Sequence, residues 1–153
     1  MAGVIRLAAP PDTRRVITCV DAAFAGYAQR IGKPPAPMLA AWPDLIGRGS
    51  VYLLEDLGLV AGVLVLEPCA DHLFVETLAV DPGLQRTGVG RRLMAFAETE
   101  ARRHGLGRIE LYTHEVMAEA LAFYQALGYR ERERRVEDGY ARIYLTRPAV
   151  PFA

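Results

Sequence analysis

The stretch V-E-T-L-A-V-D-P-G-L-Q-R-T-G-V-G, residues Val75 to Gly90, decides the fold. An apolar strand runs into an Asp-Pro break, a short loop follows, and an amphipathic helix begins at the loop glycines. Glycine has no Cβ, so backbone N–H groups can come close to a ligand there. The first N–H groups of a helix have no intrahelical acceptor and lie at the positive end of the helix dipole. The sequence therefore predicts a phosphate-binding loop between a strand and a helix.

Two common phosphate-binding motifs do not fit this loop. A P-loop needs Lys and then Ser or Thr after its last glycine, but Arg91 and Arg92 follow Gly90. The dinucleotide fingerprint needs a third glycine where this chain has Leu93. Glu110 lies roughly where that motif places its ribose-binding acid. Because the third glycine is missing, we interpret the position of Glu110 as coincidence.

The pattern that fits is Q-x-x-G-x-G, from Gln85 to Gly90. It resembles the acyl-CoA loop of the GNAT superfamily of N-acetyltransferases. A second stretch, A-L-A-F-Y-Q-A-L-G-Y, ends at Tyr129 and resembles the second signature of that family, with Tyr124 in the tyrosine position. The two signatures occur in the family's order and at about its spacing, and the resemblance covers nearly the whole chain.

The composition predicts one compact domain over residues 1–153, because 52% of the residues are hydrophobic. The 18 basic and 18 acidic residues give a formal net charge of zero, which argues against bulk affinity for nucleic acid or an anionic membrane. No apolar run approaches the ~20 residues of a membrane span. The first residues do not read as a signal peptide, so we expect a cytoplasmic protein. Cys19 and Cys69 show no metal-type spacing, so we expect reduced thiols and no metal site.

Hydrophobic periodicity and turn residues predict a mixed α/β fold in the order βααβββαβαββ. The GNAT family has the same order. The resemblance implies a central, mostly antiparallel sheet with one splayed parallel strand pair and helices on both faces. The predicted helices are 12–30, 38–46, 88–104 and 117–127, and the predicted strands are 4–8, 51–55, 59–67, 73–80, 108–113, 129–136 and 140–146.

The resemblance implies that acetyl-CoA is the co-substrate. Pantetheine would lie along the splayed strand, and the pyrophosphate would lie on the loop. Met117 stands where many family members carry an asparagine that contacts the cofactor, and methionine has no amide to make this hydrogen bond. The residues expected to bind the cofactor through these two segments are Leu78, Ala79, Val80, Gln85, Arg86, Thr87, Gly88, Val89, Gly90 and Arg91.

Tyr124 is the candidate general acid. A phenol has a pKa near ~10 and a thiol near ~8.5, so a neutral tyrosine can donate a hydrogen bond or a proton to a leaving thiolate. The alternative is a buried tyrosine that anchors a helix to the sheet.

Glu76 is the candidate general base, because it lies on the splayed strand and on the same face as Leu78 and Val80. Its carboxylate could take a proton from the acceptor amine through water. The alternatives are a solvent-facing residue or a salt bridge. His72 and His114 are weaker candidates for the base.

Tyr27, Met38 and Trp42 are the candidate acceptor residues, because the resemblance places the acceptor site under the N-terminal region. The alternative for each is ordinary packing of helices on the sheet. We expect an acyl-CoA-dependent N-acyltransferase, with acetyl as the acyl group and an amine of a small molecule or peptide as acceptor. The alternatives are a non-catalytic acyl-CoA-binding domain and a transferase of a longer acyl group. The acceptor's identity and the oligomeric state, for which a homodimer is one option, stay open.

Overall fold

The computed structural model describes residues 2–149. The elements follow the predicted order, with short 3-10 turns at Pro10–Asp12, Ala36–Leu39 and Pro82–Leu84. The helices are α1 (Thr13–Ile31), α2 (Trp42–Gly47), α3 (Val89–Arg103) and α4 (Ala118–Ala126). The strands are β1 (Val4–Leu7), β2 (Val51–Asp56), β3 (Leu59–Pro68), β4 (Leu73–Val80), β5 (Arg108–His114), β6 (Arg130–Glu137) and β7 (Tyr140–Pro148). Within the described residues, no helix is both long and apolar enough to span a membrane.

The seven strands form a mixed sheet in the order β1-β2-β3-β4-β5-β7-β6. The predicted mixed α/β fold is therefore confirmed. β4 and β5 form the parallel pair, and their ladder covers three residue pairs, from Leu73 with Ile109 to Val75 with Leu111. Both strands continue beyond this ladder, β4 to Val80 and β5 to His114.

Two compact units can be distinguished along the chain. The first unit comprises the chain up to Leu66 together with Thr77–Phe96, and the second comprises Glu67–Glu76 together with the chain from Ala97 onward. In the first unit, β1, β2 and β3 pair antiparallel. In the second, β7 pairs antiparallel with both β5 and β6.

Gly62 on β3 fixes the position of α3 in the first unit. A Cβ at Gly62 would come within 2.7 Å of Leu93 Cδ1 and 2.9 Å of Val89 Cγ1, both on α3, and within 3.1 Å of the Ala79 carbonyl oxygen. The two side-chain distances are shorter than real Cβ contacts, so glycine lets α3 pack this closely on β3 without displacing the Leu93 and Val89 side chains. Val89 and Leu93 are fully buried in this contact.

An ion-pair cluster joins β1, α1 and β2 in the first unit. The Asp12 carboxylate accepts hydrogen bonds from Arg6 at 2.8 and 3.0 Å and from Arg15 at 2.6 Å. Glu55 accepts from the same two arginines at 3.1 and 2.9 Å. The Arg6 hydrogen bonds hold the pKa of the Asp12 carboxyl well below its usual range, against the opposing effect of burial.

The second helix begins later than the sequence predicts. The expectation was a helix over residues 38–46, whereas α2 begins at Trp42, after the 3-10 turn Ala36–Leu39. Pro43 explains the difference, because proline lacks the N–H that an interior helical position needs and fits only the first turn. The structure places it there.

In the second unit, the end of α3 and the β6–β7 turn form as the sequence predicts. Gly105 has a φ of 68°, and the N–H of Leu106 donates to the Ala101 carbonyl at 2.8 Å, which is the Schellman arrangement after a helix. Asp138 and Gly139 have φ values of 53° and 79°, so they form the predicted tight hairpin turn between β6 and β7.

Candidate functional site

The loop after β4 is held in shape by its own side chains. The Asp81 carboxylate accepts from the Gly83 N–H at 2.8 Å, and the Leu84 N–H donates to the Asp81 carbonyl at 2.8 Å. The Thr87 hydroxyl donates to the Leu84 carbonyl. Arg86 and Gly88 both have left-handed φ values, 66° and 94°, which is uncommon for a residue with a Cβ such as Arg86. The loop is therefore built before any ligand binds.

This loop carries a run of backbone N–H groups that the protein does not use. The first helical hydrogen bond of α3 is from the Arg92 N–H to the Gly88 carbonyl at 3.0 Å. The Thr87 N–H makes only a 3.4 Å contact with the Leu84 carbonyl. Within residues 2–149, no hydrogen bond is donated by the amides of the five other residues of this segment, Arg86, Gly88, Val89, Gly90 and Arg91. Such a concave set of donors at a helix start matches the oxygens of a phosphate or pyrophosphate.

The side chains around this segment leave its N–H groups open. Gln85, Arg86 and Thr87 are exposed, as is Arg91. A Cβ placed on Gly88 would meet no atom within 4 Å, so the space over the loop is empty of protein. Arg92 differs from the other two arginines, because its guanidinium donates to the carbonyls of Ala2 and Gly3 at 3.2 and 3.0 Å. The cationic side chains available to a phosphate are thus Arg86 and Arg91.

The side chains of β4, the strand before the loop, alternate in burial, as the predicted role of this strand requires. Along β4 the odd-numbered residues are buried and the even-numbered ones half-buried. Leu78 and Val80 therefore share the half-buried face, while Ala79 points into the core. These residues lie beyond the ladder with β5, which ends at Val75. Their main-chain contacts with pantetheine stay a prediction, which this early end of the ladder supports.

Glu76 lies on the half-buried face of β4, as the sequence predicts. Phe74 shares this face, and its ring stacks on Tyr112 of β5 with centroids 5.9 Å apart. Burial raises the pKa of Tyr112, and the negative charge of Glu76 adds to the rise against the opposing charge of Arg142. Glu76 is thus close enough to Tyr112 to act on it electrostatically. Its role as base stays a prediction.

Tyr124 lies near the end of α4 and is 8% exposed. Its ring meets Phe123 and Tyr129 edge-on, with centroids 5.2 and 5.9 Å apart. Its carbonyl accepts from the Tyr129 N–H at 3.0 Å. The ring is thus held rigidly, as both the catalytic and the anchoring interpretations require.

Met117, in the place of the family's asparagine, precedes the first residue of α4 and is buried. The Thr113 hydroxyl contacts its sulfur at 3.9 Å. Its side chain therefore contributes apolar packing where the family often has an amide.

His72 is engaged by two carboxylates. Its Nδ1 lies 2.8 Å from Asp71 Oδ1, and its Nε2 lies 3.2 Å from Glu110 Oε2. Glu110 is buried and also pairs with Arg108 and Arg132. This cluster makes His72 a poor candidate for a base toward an amine. These ion pairs also give Glu110 a structural role, which agrees with the rejection of the dinucleotide motif.

One ring nitrogen of His114 accepts a hydrogen bond from the main chain. The Val116 N–H donates to His114 Nδ1 at 3.2 Å, so this nitrogen accepts and the other carries the proton in the neutral ring. A base role through Nδ1 would break that bond. Glu76 therefore stays the stronger candidate of the three.

The three candidate acceptor residues lie in different environments of the first unit. Tyr27 is half-buried on α1, with Arg30 over its ring at 5.1 Å, and Met38 is half-buried in the second 3-10 turn. Trp42 is only 3% exposed, and its indole N–H donates to the Pro37 carbonyl at 3.1 Å. Trp42 thus anchors the proline-rich loop and has the least surface to offer an acceptor.

Cysteine and metal-ligand residues form no further site in the described chain. Cys19 is buried, and desolvation raises the pKa of its thiol to about 12. Among residues 2–149 no group of three or more His, Cys, Asp or Glu side chains could hold a metal ion.

Three further residues that position these groups escaped the sequence analysis. Gly62 sets the approach of α3, and Tyr112 and Arg142 line the face that carries Glu76. Only the glycine left a trace in the sequence, as an interruption of an otherwise β-branched and apolar strand.

Two curated proteins resemble about half of this chain. The [Ribosomal protein bS18]-alanine N-acetyltransferase of Escherichia coli (strain K12) is 31% identical over 87 residues, which are 55% of this chain and 59% of that protein. "Probable N-acetyltransferase 14" of Xenopus tropicalis is 35% identical over 83 residues, which are 53% of this chain and 39% of that protein. The chain thus spans less than two thirds of the length of either relative.

A family-wide comparison and a solved structure cover more of the chain. The crystal structure of the ribosomal-protein-S18-alanine N-acetyltransferase from Escherichia coli matches with a TM-score of 0.77 and 22% identity, over 99% of this chain and 96% of that one. At this identity the match shows a shared fold. The sequence pattern of the Acetyltransferase (GNAT) family matches residues 6–129. This chain therefore belongs to the Acetyltransferase (GNAT) family.

Proposed function

We propose that the protein is an acetyl-CoA-dependent N-acetyltransferase that acts on a primary amine by direct transfer. The observation that carries this proposal is the run of unused N–H groups from Arg86 to Arg91 at the start of α3. Family membership makes acetyl-CoA the expected acyl donor. The pyrophosphate of CoA fits such a loop, because it needs several hydrogen-bond donors at once.

The loop residues fit the cofactor by their main chains. The N–H groups of Gly88, Val89 and Gly90 would hold phosphate oxygens, and Arg86 and Arg91 would add positive charge. Leu78 and Val80 would face the pantetheine arm from the half-buried side of β4. Bound acetyl-CoA supplies the activated acetyl thioester.

The chain's own side chains would handle two protons in the transfer. The acceptor nitrogen forms a bond to the acetyl carbonyl carbon, and the carbon–sulfur bond breaks. Glu76 takes the proton that the amine loses, through a water molecule. Tyr124 donates a proton to the departing thiolate, and the solvent later restores it.

The acceptor is a primary amine, and an N-terminal alanine is the first to test. The Escherichia coli relative is named for acetylation of an alanine on a ribosomal protein. A free amine of a small molecule is the second acceptor class, since the match to that relative covers only 55% of this chain. A cytoplasmic location and a homodimer both stay predictions.

A non-catalytic acyl-CoA-binding domain is the rival function. The observation that favours it is Met117, whose thioether replaces an amide that often contacts the cofactor. Methionine at that place suits an apolar neighbour and leaves binding possible.

Release of free CoA from acetyl-CoA, measured with a thiol reagent, separates the two functions. We expect CoA release that depends on an alanyl peptide or another primary amine. Tight binding of acetyl-CoA in calorimetry without release, across a panel of primary amines, would favour the rival. Absence of CoA binding would refute both.

A further inference from the structure

One side of the sheet in the second unit carries an aromatic and charged surface that includes Glu76. We call it the acceptor face. Its members come from three strands and share one side of the sheet, because Tyr112 of β5 lies opposite Tyr144 of β7 and His114 lies opposite Arg142. It comprises Phe74, Glu76, Tyr112, His114, Tyr140, Arg142 and Tyr144.

Arg142 is held firmly on this face. Its guanidinium carbon lies 4.3 Å from the ring centre of Tyr112 and 5.4 Å from that of Tyr140, and its side chain is 13% exposed. Stacking between two rings fixes the plane of the group and lowers the entropy lost when a ligand binds.

The hydrogen-bonding groups of Arg142 are nevertheless almost unused. Its one ion pair is with Glu137 Oε1, at 3.6 Å, which is too long for a hydrogen bond. Within residues 2–149 it donates no hydrogen bond, and neither does the hydroxyl group of the neighbouring Tyr112. A guanidinium has five N–H donors, so this half-buried pair holds donors that only a ligand or water can satisfy.

The carboxylate nearest to Arg142 is committed elsewhere. Glu137 accepts from the Tyr144 hydroxyl and lies 3.1 Å from Arg135 Nε. The Tyr144 hydrogen bond is the largest cause of the lowered pKa of Glu137, so this residue is ionised at neutral pH. Glu137 is thus shared among Tyr144, Arg135 and Arg142, and at 3.6 Å it leaves the donors of the Arg142 guanidinium without a hydrogen bond within the described residues.

We infer that Arg142, together with the Tyr112 hydroxyl, binds a carboxylate carried by the acceptor amine. A planar guanidinium binds a carboxylate through two parallel hydrogen bonds, and the phenol can add a third. Glu76 lies on the same side of the sheet and would lie next to the acceptor's amine. The acceptor face therefore suits an acceptor that carries both a positive and a negative group. This inference rests on the proposed function, because it names the acceptor of that reaction.

Two kinds of amine have this chemistry. A free amino acid carries the carboxylate on its α-carbon, and a peptide carries it on an acidic side chain next to its N-terminus. Alanine and alaninamide test the first source, and the dipeptide amides Ala-Asp-NH2 and Ala-Asn-NH2 test the second. Each pair differs in the negative charge while both members keep an α-amine.

Arg135 provides a matched control. It is also an arginine stacked on a tyrosine, 4.1 Å from the Tyr144 ring centre, and it pairs with the same Glu137. Unlike Arg142, it is 46% exposed and already has a close carboxylate partner. Arg135→Gln therefore removes the same charge without removing unused donors.

The test measures the Kd and the kcat/KM of the four acceptors in the full-length protein, with CoA present for binding and acetyl-CoA for turnover. We expect the parent to prefer the carboxylate member of at least one pair. Arg142→Gln should lower that preference roughly tenfold or more, the range of a charged hydrogen bond. Arg135→Gln should leave it unchanged. Arg142→Lys, which keeps the charge and loses the planar fork, should retain only part of it.

The outcomes separate this inference from the proposed function. Turnover of amines without any carboxylate preference, or equal losses in Arg142→Gln and Arg135→Gln, would overturn the inference and leave the function intact. Carboxylate-dependent binding through Arg142 without turnover would support the inference and refute the function. If Arg142→Gln fails to fold, Arg142→Lys and Tyr112→Phe carry the same comparison of preferences.

Discussion

The cofactor loop of the first unit and the acceptor face of the second use different parts of the chain. The loop offers main-chain N–H groups from Arg86 to Arg91, and its side chains point away or are exposed. The acceptor face offers the side chains of Glu76, Tyr112 and Arg142 on three strands. Main-chain donors depend on backbone shape and on the absence of a Cβ, whereas side-chain chemistry depends on residue type. Substitutions in the loop should therefore change binding, and substitutions in the second unit should change turnover or acceptor choice.

The largest expected effect is on turnover and concerns Tyr124. Tyr124→Phe keeps the ring contacts with Phe123 and Tyr129 and removes only the hydroxyl. We expect kcat to fall on the order of 10²-fold, the lower end for general acid–base catalysis, with an unchanged Kd for CoA. Steady-state kinetics with a poorly reactive amine, together with calorimetry, make the measurement. An unchanged kcat would show that Tyr124 serves only as an anchor.

The next effect is on cofactor binding and concerns Gly90. This residue lies in the first turn of α3, and its backbone is outside the left-handed region, so Gly90→Val can keep the helix while placing a branched side chain over the N–H groups. We expect the Kd for CoA to rise about tenfold or more, which corresponds to ~1.4 kcal/mol.

Gly26→Val is the control for Gly90→Val. Gly26 also lies inside a helix, with open space around it, and it is remote in sequence from the loop. The same cost of a β-branched residue in a helix applies to both, so only the Gly90 variant should weaken CoA binding. Equal CoA affinity in the two folded variants would show that the cofactor does not bind at this loop.

A smaller effect should come from Glu76. An N-terminal α-amine has a pKa near ~7.7–8.0, so about one molecule in ten is already unprotonated at pH 7. Glu76→Gln should therefore lower kcat/KM by no more than about tenfold for such an acceptor, and the loss should shrink as the pH rises. The part of the acidic limb that reports Glu76 should disappear, and the limb that remains should follow the pKa of the acceptor amine. A pH profile that overlays the profile of the parent would show that the amine proton does not leave through Glu76.

The smallest effect on activity, and a clear one on stability, should come from the Asp12 cluster. Here the four charged groups Arg6, Asp12, Arg15 and Glu55 are joined by close hydrogen bonds, whereas Arg142 has only a 3.6 Å ion pair. Asp12→Asn should lower the free energy of unfolding by about 1–3 kcal/mol at pH 7, the cost of lost hydrogen bonds to a charged group. Urea unfolding measures it, with Asp21→Asn on α1 as a control, because Asp21 makes no hydrogen bond or ion pair within residues 2–149.

The sign of the pH dependence follows from the lowered pKa of Asp12. Its contribution is fully present above the unfolded-state pKa of ~3.9 and is lost as the pH falls below that value toward the folded-state pKa. The difference between parent and Asp12→Asn should therefore shrink in acid. A difference that stays constant from pH 7 to pH 3 would contradict the assignment.

Much of the fold could be predicted from turn residues and from the periodicity of apolar residues. The hairpin turns at Leu57-Gly58 and Asp138-Gly139 need left-handed φ values, and both pairs have them. The strand before the loop and the helix after it were predicted within a residue of their observed ends. The start of α2 was wrong, because Pro43 fits only the first helical turn and apolar periodicity alone gave too early a start.

The sites that the sequence left hidden depend on residues brought together across strands. The close approach at Gly62 requires β3 and α3 to be packed. The stacking of Arg142 on Tyr112 depends on the register of β5 with β7. The two stacked arginines also differ in burial, since the side chain of Arg135 on β6 is 46% exposed and that of Arg142 on β7 is 13% exposed. β5 and β7 are separated in sequence by α4 and β6, so the pattern within either strand does not show which of their residues lie opposite each other.

The central claim is that the main chain of Arg86 to Arg91 binds the cofactor's phosphates. Titration of the 15N-labelled protein with CoA, followed by two-dimensional NMR, observes these N–H groups directly. The account predicts that the amide signals of Arg86, Gly88, Val89, Gly90 and Arg91 move furthest downfield, as expected for N–H groups that gain charged acceptors. Binding of CoA that leaves these five signals in place and shifts others would contradict it.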